Sequence, residues 1–390
     1  MTKWRIFGAL ALMGSGVAMI ATGVFSPASA AMGDCTAHPA TPPTSSTSTT
    51  STTSTTLPGQ SAQPESVIVT GAGAGGGPHV EVWSDPQTVI GSFYAYAPNF
   101  TGGVQVAAGD VNGDGYDDVV TGVGAGGGPH VKVFNGAPGT DGKPMLNEIG
   151  SFYAYAPNFS GGVNVAVADV NGDGKADIIT GPGAGGGPHV RIFGGATVLG
   201  ANPTLTILGE FMAYDPNFTG GVSVGGADLG GPDSRAEIVT GAGLGGGPHV
   251  RVFESTGAPM EGTGGGFMAF GTTFHGGVNV AADCTNGVAR IAVSTKYGDS
   301  GWNDYRPDGL GLNHGAFYRP AHPYAQPGLG IAIGPLIPDE SPGVQVITGL
   351  AQATDSPQVV IWGLTTQNDP IDGFNAYAAT IRVSVAFGRM

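Results

Sequence analysis

Basic residues are scarce. Lys and Arg number 14 against 29 Asp and Glu, giving a formal net charge of −15 over 390 residues. A nucleic-acid backbone requires a basic stripe, so nucleic acid is excluded as a partner. An acidic balance suits solubility, divalent cations or a basic partner. Cysteine is almost absent: Cys35 and Cys284 are the only two, too few and too far apart for a zinc site. Under oxidising conditions they either form one disulfide tying the tail to the body or stay as two thiols, and sequence does not choose. Long apolar runs are missing beyond Phe25, so no membrane span is expected in the mature chain. There is no nucleophile elbow, no HExxH and no lone pair of acids outside the repeats. The GxGxGGG segments lie between strands rather than before a helix and lack a lysine, which excludes a phosphate loop. The chain is therefore expected not to be an enzyme.

What is abundant is glycine, 72 residues, and it recurs at fixed places between short apolar runs. That pattern belongs to the tight turns of an all-β protein. The N-terminal end reads differently. Lys3 and Arg5 precede the apolar run Ile6–Phe25, followed by Pro27 and the small-x-small site Ala28-Ser29-Ala30. Residues 1–30 read as a signal peptide cut after Ala30, with an uncleaved anchor as the competing reading because the run is long. Met32-Gly33-Asp34 before Cys35 does not resemble a lipoprotein signal. Residues 31–65, almost all Thr, Ser and Pro from Thr36, have nothing to bury and form a linker, either an O-glycosylated stalk or a bare spacer. The expected location is extracellular or at the cell surface.

Residues 66–390 repeat. Asp110, Asp169 and Asp228 are spaced by 59 residues, and GGGPH ends at His79, His130, His189 and His249. GSFYAYAPNFTGGVQV at Gly91 returns at Gly150 and Gly209, and a fourth copy starts at Gly265. Units of this length with several short strands form a toroid of blades. In the second copy the strands are expected at Val163–Ala168, Asp177–Gly181, His189–Phe193 and Gly209–Tyr214. Small residues in the first two suit the crowded axis; the aromatics of the fourth would pack between blades. The count predicts a β-propeller of six four-stranded blades, or seven if Trp302–Pro335 hides one. Ile381–Phe387 should complete the blade begun by Ser66–Tyr96, which removes both sheet edges.

Phe100 with Gly102-Gly103, the acidic loop Asp110–Asp118 and Thr121-Gly122-Val123-Gly124 resemble the FG-GAP repeat family, the propeller type of the integrin α-subunit head. Gly-Ala-Pro of the family pattern is replaced here by Gly-x-Gly, and GGGPH is an addition. The resemblance implies acidic loops on one face, and on the other the glycine turns with the YAPNF loops. That second face would carry Tyr96, Asn99 and Phe100 with Tyr155, Asn158, Phe159 and Tyr214, Asn217, Phe218. Such side chains suit glycan or protein recognition; alternatively the Phe rings plug the core between blades and the Asn residues cap turns.

The loop DVNGDGYDD supplies Asp110, Asn112, Asp114 and Asp118 with the Tyr116 carbonyl, and the second copy supplies Asp169, Asn171, Asp173 and Asp177 with the Lys175 carbonyl. Oxygen donors at alternate positions around a turn glycine suit Ca2+; an Asx-rich turn without metal is the alternative. Asp228, Asp233 and Glu237 are displaced by an insertion and should bind weakly or not at all, and Asp283-Cys284-Thr285 has lost the ligands. The four histidines are expected to cap turn backbone in every blade rather than to hold a metal or catalyse. Trp302-Asn303-Asp304-Tyr305-Arg306 reads as the one unrepeated loop, where specific function usually lies. The expected function is a calcium-binding adhesion or recognition module, monomeric, for an extracellular protein or glycan. A carbohydrate-specific lectin, an extracellular hydrolase or lyase, and a surface-layer role are the alternatives.

Overall fold

The structure is a computed structural model. It describes residues 66–311 apart from 86, 232, 264, 286, 298 and 299, together with Cys35 and the later strands named below. The expected signal peptide 1–30 and, Cys35 aside, the linker 31–65 lie outside the described residues.

The chain is an all-β propeller. Its described strands form six four-stranded antiparallel sheets. Five are built from consecutive strands. Sheet two holds Val104–Gly109, Asp118–Val123, His130–Phe134 and Glu148–Tyr153. Sheet three holds Val163–Ala168, Asp177–Pro182, His189–Phe193 and Ile207–Met212, and sheet four holds Val222–Ala227, Glu237–Ala242, His249–Phe253 and Phe267–Met268. Sheet five holds Val278–Thr285, Val288–Thr295, Ser300–Tyr305 and Ala316–Tyr318, and sheet six holds Gly330–Gly334, Gln345–Leu350, Gln358–Gly363 and Pro370–Asn375. Sheet one joins the two ends of the folded region: Val383–Arg389 pairs with Ser66–Ala72, followed by His79–Asp85 and Thr88–Tyr94. The closing strand therefore lies where the repeat count puts it, two residues later than expected. Trp302 to Tyr305 belong to the third strand of sheet five, and no seventh sheet is present among the described residues.

The first strand of each sheet touches that of its neighbour, and the contacts run round to the closing strand. Their small side chains allow this approach. Val104, Val163, Val222 and Val278 are all buried. Farther out, aromatic pairs join neighbouring sheets. Phe93 meets Phe134 at 4.5 Å between centroids, Phe152 meets Phe193 at 4.9 Å, Phe211 meets Phe253 at 4.6 Å and Phe267 meets Tyr305 at 4.7 Å. Offset rings at these distances stabilise beyond their buried area.

Because strands alternate in direction, each acidic loop connects an inner strand to the second strand on one face. The glycine turns connect second to third strands on the other. Cys35 is bonded to Cys284 at the end of the inner strand of sheet five.

Candidate functional site

Each complete acidic loop is wound around two carboxylates. Asp110 accepts N–H bonds from Gly113 (2.7 Å), Asp114 (3.0 Å) and Gly115 (2.8 Å). Gly113 and Gly115 hold φ of 80° and 91°, the left-handed region where a side chain is strained. Asp118, fully buried, accepts from Val111 and Asn112 through one oxygen, and from Gly136 and the Asn112 amide through the other. The second loop repeats this with Asp169 and Asp177. Burial pushes the Asp118 carboxyl up to about 7 and Asp177 to about 6, against the pull of these N–H donors.

The predicted ligands Asp110, Asn112, Asp114 and Asp118 thus share one loop, with the Tyr116 N–H bonded to Asp114 at 3.0 Å. Asp169, Asn171, Asp173 and Asp177 share the next, where Lys175 N–H bonds Asp173 at 2.9 Å. Among the described residues no three carboxylates, imidazoles or thiolates are placed to hold a metal ion. The donor chemistry fits calcium, since every candidate atom is oxygen. The present arrangement spends those oxygens on backbone N–H groups, and Asn112 turns its amide nitrogen toward Asp114 at 2.9 Å. Neighbouring loops are coupled. Ala176 N–H bonds Asp110 O at 2.8 Å, and the Lys175 ammonium reaches Asn112 O at 3.2 Å. In the third loop Glu237 is fully buried, accepts from Leu229 N–H at 2.6 Å, and is pushed up to about 8 by burial.

The turn face differs from the expectation for its tyrosines. Tyr96 does not offer its hydroxyl to solvent. It donates to the carbonyls of Thr121 (3.0 Å) and His130 (2.9 Å) in the next sheet, beside Thr121 Oγ1. Tyr155 and Tyr214 do the same with Thr180 and His189, and with Thr240 and His249. Burial raises all three phenols. These are latches between sheets. Phe100, Phe159 and Phe218 are half-buried over the glycine turn of their own sheet, while Asn99, Asn158 and Asn217 are exposed.

Three of the four histidines bond across strands. His79 Nε2 and Ser92 Oγ lie 2.8 Å apart, as do His130 Nε2 and Ser151 Oγ, and His189 Nε2 is 3.3 Å from Glu210. Burial lowers the pKa of all four, including His249, which favours the neutral imidazole. Two of them support exposed tyrosines: Tyr94 over His79 at 4.9 Å and Tyr153 over His130 at 4.7 Å. Tyr94, Tyr153, Met212 and Met268 occupy one position in four successive sheets, at 54, 49, 47 and 49% exposure.

The Trp302–Arg306 segment is not an unrepeated loop. Trp302 and Asp304 are 1% exposed inside a strand, and Asp304 pairs with Arg290 at 3.0 Å. The register places Trp302 opposite Ser294, as Val131 lies opposite Gly122 in sheet two.

Sequence reasoning missed a cavity of about 260 Å³ on the axis at the turn face, lined by Gln105, Asn164, Ser223 and Asn279 with Lys296 and Tyr297. The signal was present: each of the first four is the polar residue between two valines in an inner strand, VQV, VNV, VSV and VNV.

The FG-GAP repeat family model matches residues 102–140 and 161–197, each holding one complete acidic loop. No sequence among curated proteins matches this one. Among solved structures, rhamnogalacturonan lyase YesW is similar at 13% identity and TM-score 0.36, over 80% of this chain and 65% of that one. A Bacillus licheniformis rhamnogalacturonan lyase is similar at 14% and 0.36, over 82% and 68%. Quinohemoprotein alcohol dehydrogenase ADHIIG of Pseudomonas putida HK5 is similar at 11% and 0.33, over 80% and 53%. The chain thus spans about two thirds or less of the length of these structures, and likeness at this level bears on neither substrate nor reaction.

Proposed function

Taking the chain as a β-propeller that carries FG-GAP repeats, we propose that it is an exported, six-bladed, calcium-binding recognition module whose turn face takes an extracellular glycan or protein, a glycan by preference. The observation that carries this reading is the rim of Tyr94, Tyr153, Met212 and Met268, half-exposed at one position in successive sheets. An exposed aromatic ring held flat by a histidine offers a face to the C–H groups of a sugar. Exposed side chains at one position in successive sheets suit a repetitive ligand, where linked weak contacts gain by effective concentration.

Calcium belongs to the opposite face. Asp110, Asn112, Asp114, Asp118 and the Tyr116 carbonyl would hold one ion, and Asp169, Asn171, Asp173, Asp177 and the Lys175 carbonyl a second. A bound cation supplies positive charge to carboxylates that burial now disfavours. Support comes from the two loops standing in phase with the repeat and tied to each other through Ala176 N–H and Asp110 O.

Two measurements test the reading. Thermal unfolding of the chain in calcium and in chelator should differ by about 3 kcal/mol per site at hundredfold excess over the dissociation constant. The difference should vanish in the Asp114→Ala, Asp173→Ala double variant; no calcium response in the wild type removes the metal from the account. A glycan array probed with calcium present should give signals that fall at least tenfold in Tyr94→Ala, Tyr153→Ala. An array blank for the wild type, or unchanged by that variant, rejects the rim as a recognition surface.

A further inference from the structure

The axial cavity is where the repeat breaks its own rule. Successive turns reach the axis at equivalent positions with Gly73-Ala74, Gly124-Ala125, Gly183-Ala184 and Gly243-Leu244, and sheet five with Lys296-Tyr297. A shared backbone bond fixes the equivalence. Gly124 N–H donates to Gly103 O at 2.9 Å, Gly183 to Gly162 at 3.0 Å, Gly243 to Gly221 at 3.0 Å, and Lys296 to Gly277 at 2.9 Å. In sheets two to four a Cβ at this position would overlap the carbonyl oxygen of Gly102, Gly161 or Gly220. Sheet five carries Lys296 where sheets two to four admit no side chain, and Tyr297 where they carry Ala125, Ala184 and Leu244; both line the cavity.

The rest of the lining is consistent in character. Gln105, Asn164, Ser223 and Asn279 form a neutral polar ring between valines. Among the described residues no carboxylate lines the cavity, although the chain has 29 acids. Asn164 Nδ2 donates to Val222 O at 2.6 Å and Ser223 Oγ accepts from Val280 N–H at 3.2 Å, so these groups are held in place by the fold. Amides and hydroxyls both donate and accept, which suits hydroxyl groups. A lysine contributes a compact positive charge with three donors, which suits a carboxylate. The volume, about 260 Å³, lies just below the range of ligand pockets, ~300–1,000 Å³, and fits one sugar ring rather than a chain.

We propose that the axial cavity binds a single carboxylated sugar unit. Lys296 takes the carboxylate, Tyr297 borders the ring, and Gln105, Asn164, Ser223 and Asn279 read its hydroxyls. The proposal rests on the glycan reading of the turn face and gives it a substrate class.

The test is calorimetric titration of the full chain with D-glucuronate and with neutral D-glucose. Wild type is compared with Lys296→Gln, Gln105→Leu and Met145→Ala, each checked for folding by circular dichroism. Glucuronate should occupy one saturable site at least tenfold more tightly than glucose. Lys296→Gln and Gln105→Leu should each weaken it at least tenfold, and Met145→Ala, at an exposed position outside the cavity lining, should leave it unchanged. Should Lys296→Gln fail to fold, Gln105→Leu decides. No saturable glucuronate binding to folded wild type overturns the proposal, as does binding that both cavity variants retain. Cavity binding beside a blank glycan array would instead sink the rim and keep the cavity.

Discussion

Sheets two and five pair their strands in the same register and share few of the side chains that hold them. In sheet two Val104 faces Val123 and Gly109 faces Asp118; in sheet five Val278 faces Thr295 and Asp283 faces Arg290. Arg290 therefore stands where Asp118 organises an acidic loop, and it pairs with Asp304 from the next strand. The loop itself is gone: the ladder runs two pairs further, to Thr285 opposite Val288. Cys284 lies in that extension and bonds Cys35. On the other face Phe270 replaces the latch tyrosine, and the Tyr305 hydroxyl reaches the Ala269 carbonyl instead. The backbone plan tolerates an exchange of its fasteners, provided that each buried polar group still finds a partner. Of the positions released from the repeat in this way, Lys296 above all carries a side chain that the equivalent glycines of sheets two to four cannot.

The largest expected effect attacks the fastener unique to sheet five. Reduction, or Cys35→Ser, Cys284→Ser, frees a closure spanning 249 residues and should cost on the order of 5 kcal/mol by the chain-entropy model. Denaturant titration with and without reductant reads this; coincident curves would make the bond incidental. Next comes the glycine rule. Gly183→Ala puts a methyl against the Gly161 carbonyl and should cost about 3 kcal/mol, whereas Lys296→Ala at the equivalent position of sheet five should cost little. Equal losses would show that the two turns are not built differently. Tyr155→Phe leaves the ring and removes the bonds to the Thr180 and His189 carbonyls. About 2 kcal/mol should be lost, measurable as a lower unfolding midpoint, while Phe270→Tyr should not restore an equal gain.

The smallest effect separates sheet one from the rest. Glu81 sits where sheets two, three and four carry Lys132, Arg191 and Arg251. One of its oxygens is buried without a hydrogen-bond partner, and burial pushes the carboxyl up to about 7. A carboxyl raised on folding binds more protons in the native state, so its cost is full above about pH 7, shrinks as pH falls, and is gone below the unfolded value of ~4.3. With 15% of the side chain exposed, solvent screening leaves this at about 1 kcal/mol. Glu81→Gln should therefore stabilise at pH 8 and converge with wild type near pH 4.5. Parallel stability curves across that range would contradict the assignment.

Much of the fold was legible because a repeat prints its architecture several times. The strand expected at Val163–Ala168 has those bounds, and the one at His189–Phe193 does too. The closing strand was legible because the count of first and second strands leaves one half-sheet at each end. The site was less so. Tyr96 reads as a surface aromatic in any linear pattern, and only its reach to Thr121 and His130 of the neighbouring sheet shows the hydroxyl to be internal. Trp302 looks unrepeated by sequence because Arg290 and Asp304 have replaced the residues that would have aligned it. The cavity residues were hidden for the opposite reason. A single polar residue between valines is ordinary strand alternation, and it becomes a ring only when the sheets are arranged about an axis.

The bond between Cys35 and Cys284 also decides how the molecule bears load. Whatever lies upstream of Cys35 is coupled mechanically to sheet five, because the covalent route through the sulfurs bypasses residues 36–65 and Ser66. Tension from that side would be delivered at the end of an inner strand and spread through its neighbours around the ring. The seam between Ser66–Ala72 and Val383–Arg389, where the ring could be unzipped from a chain end, would stay slack. An oxidised molecule should thus resist pulling by shear across several sheets, and a reduced one should peel from its seam.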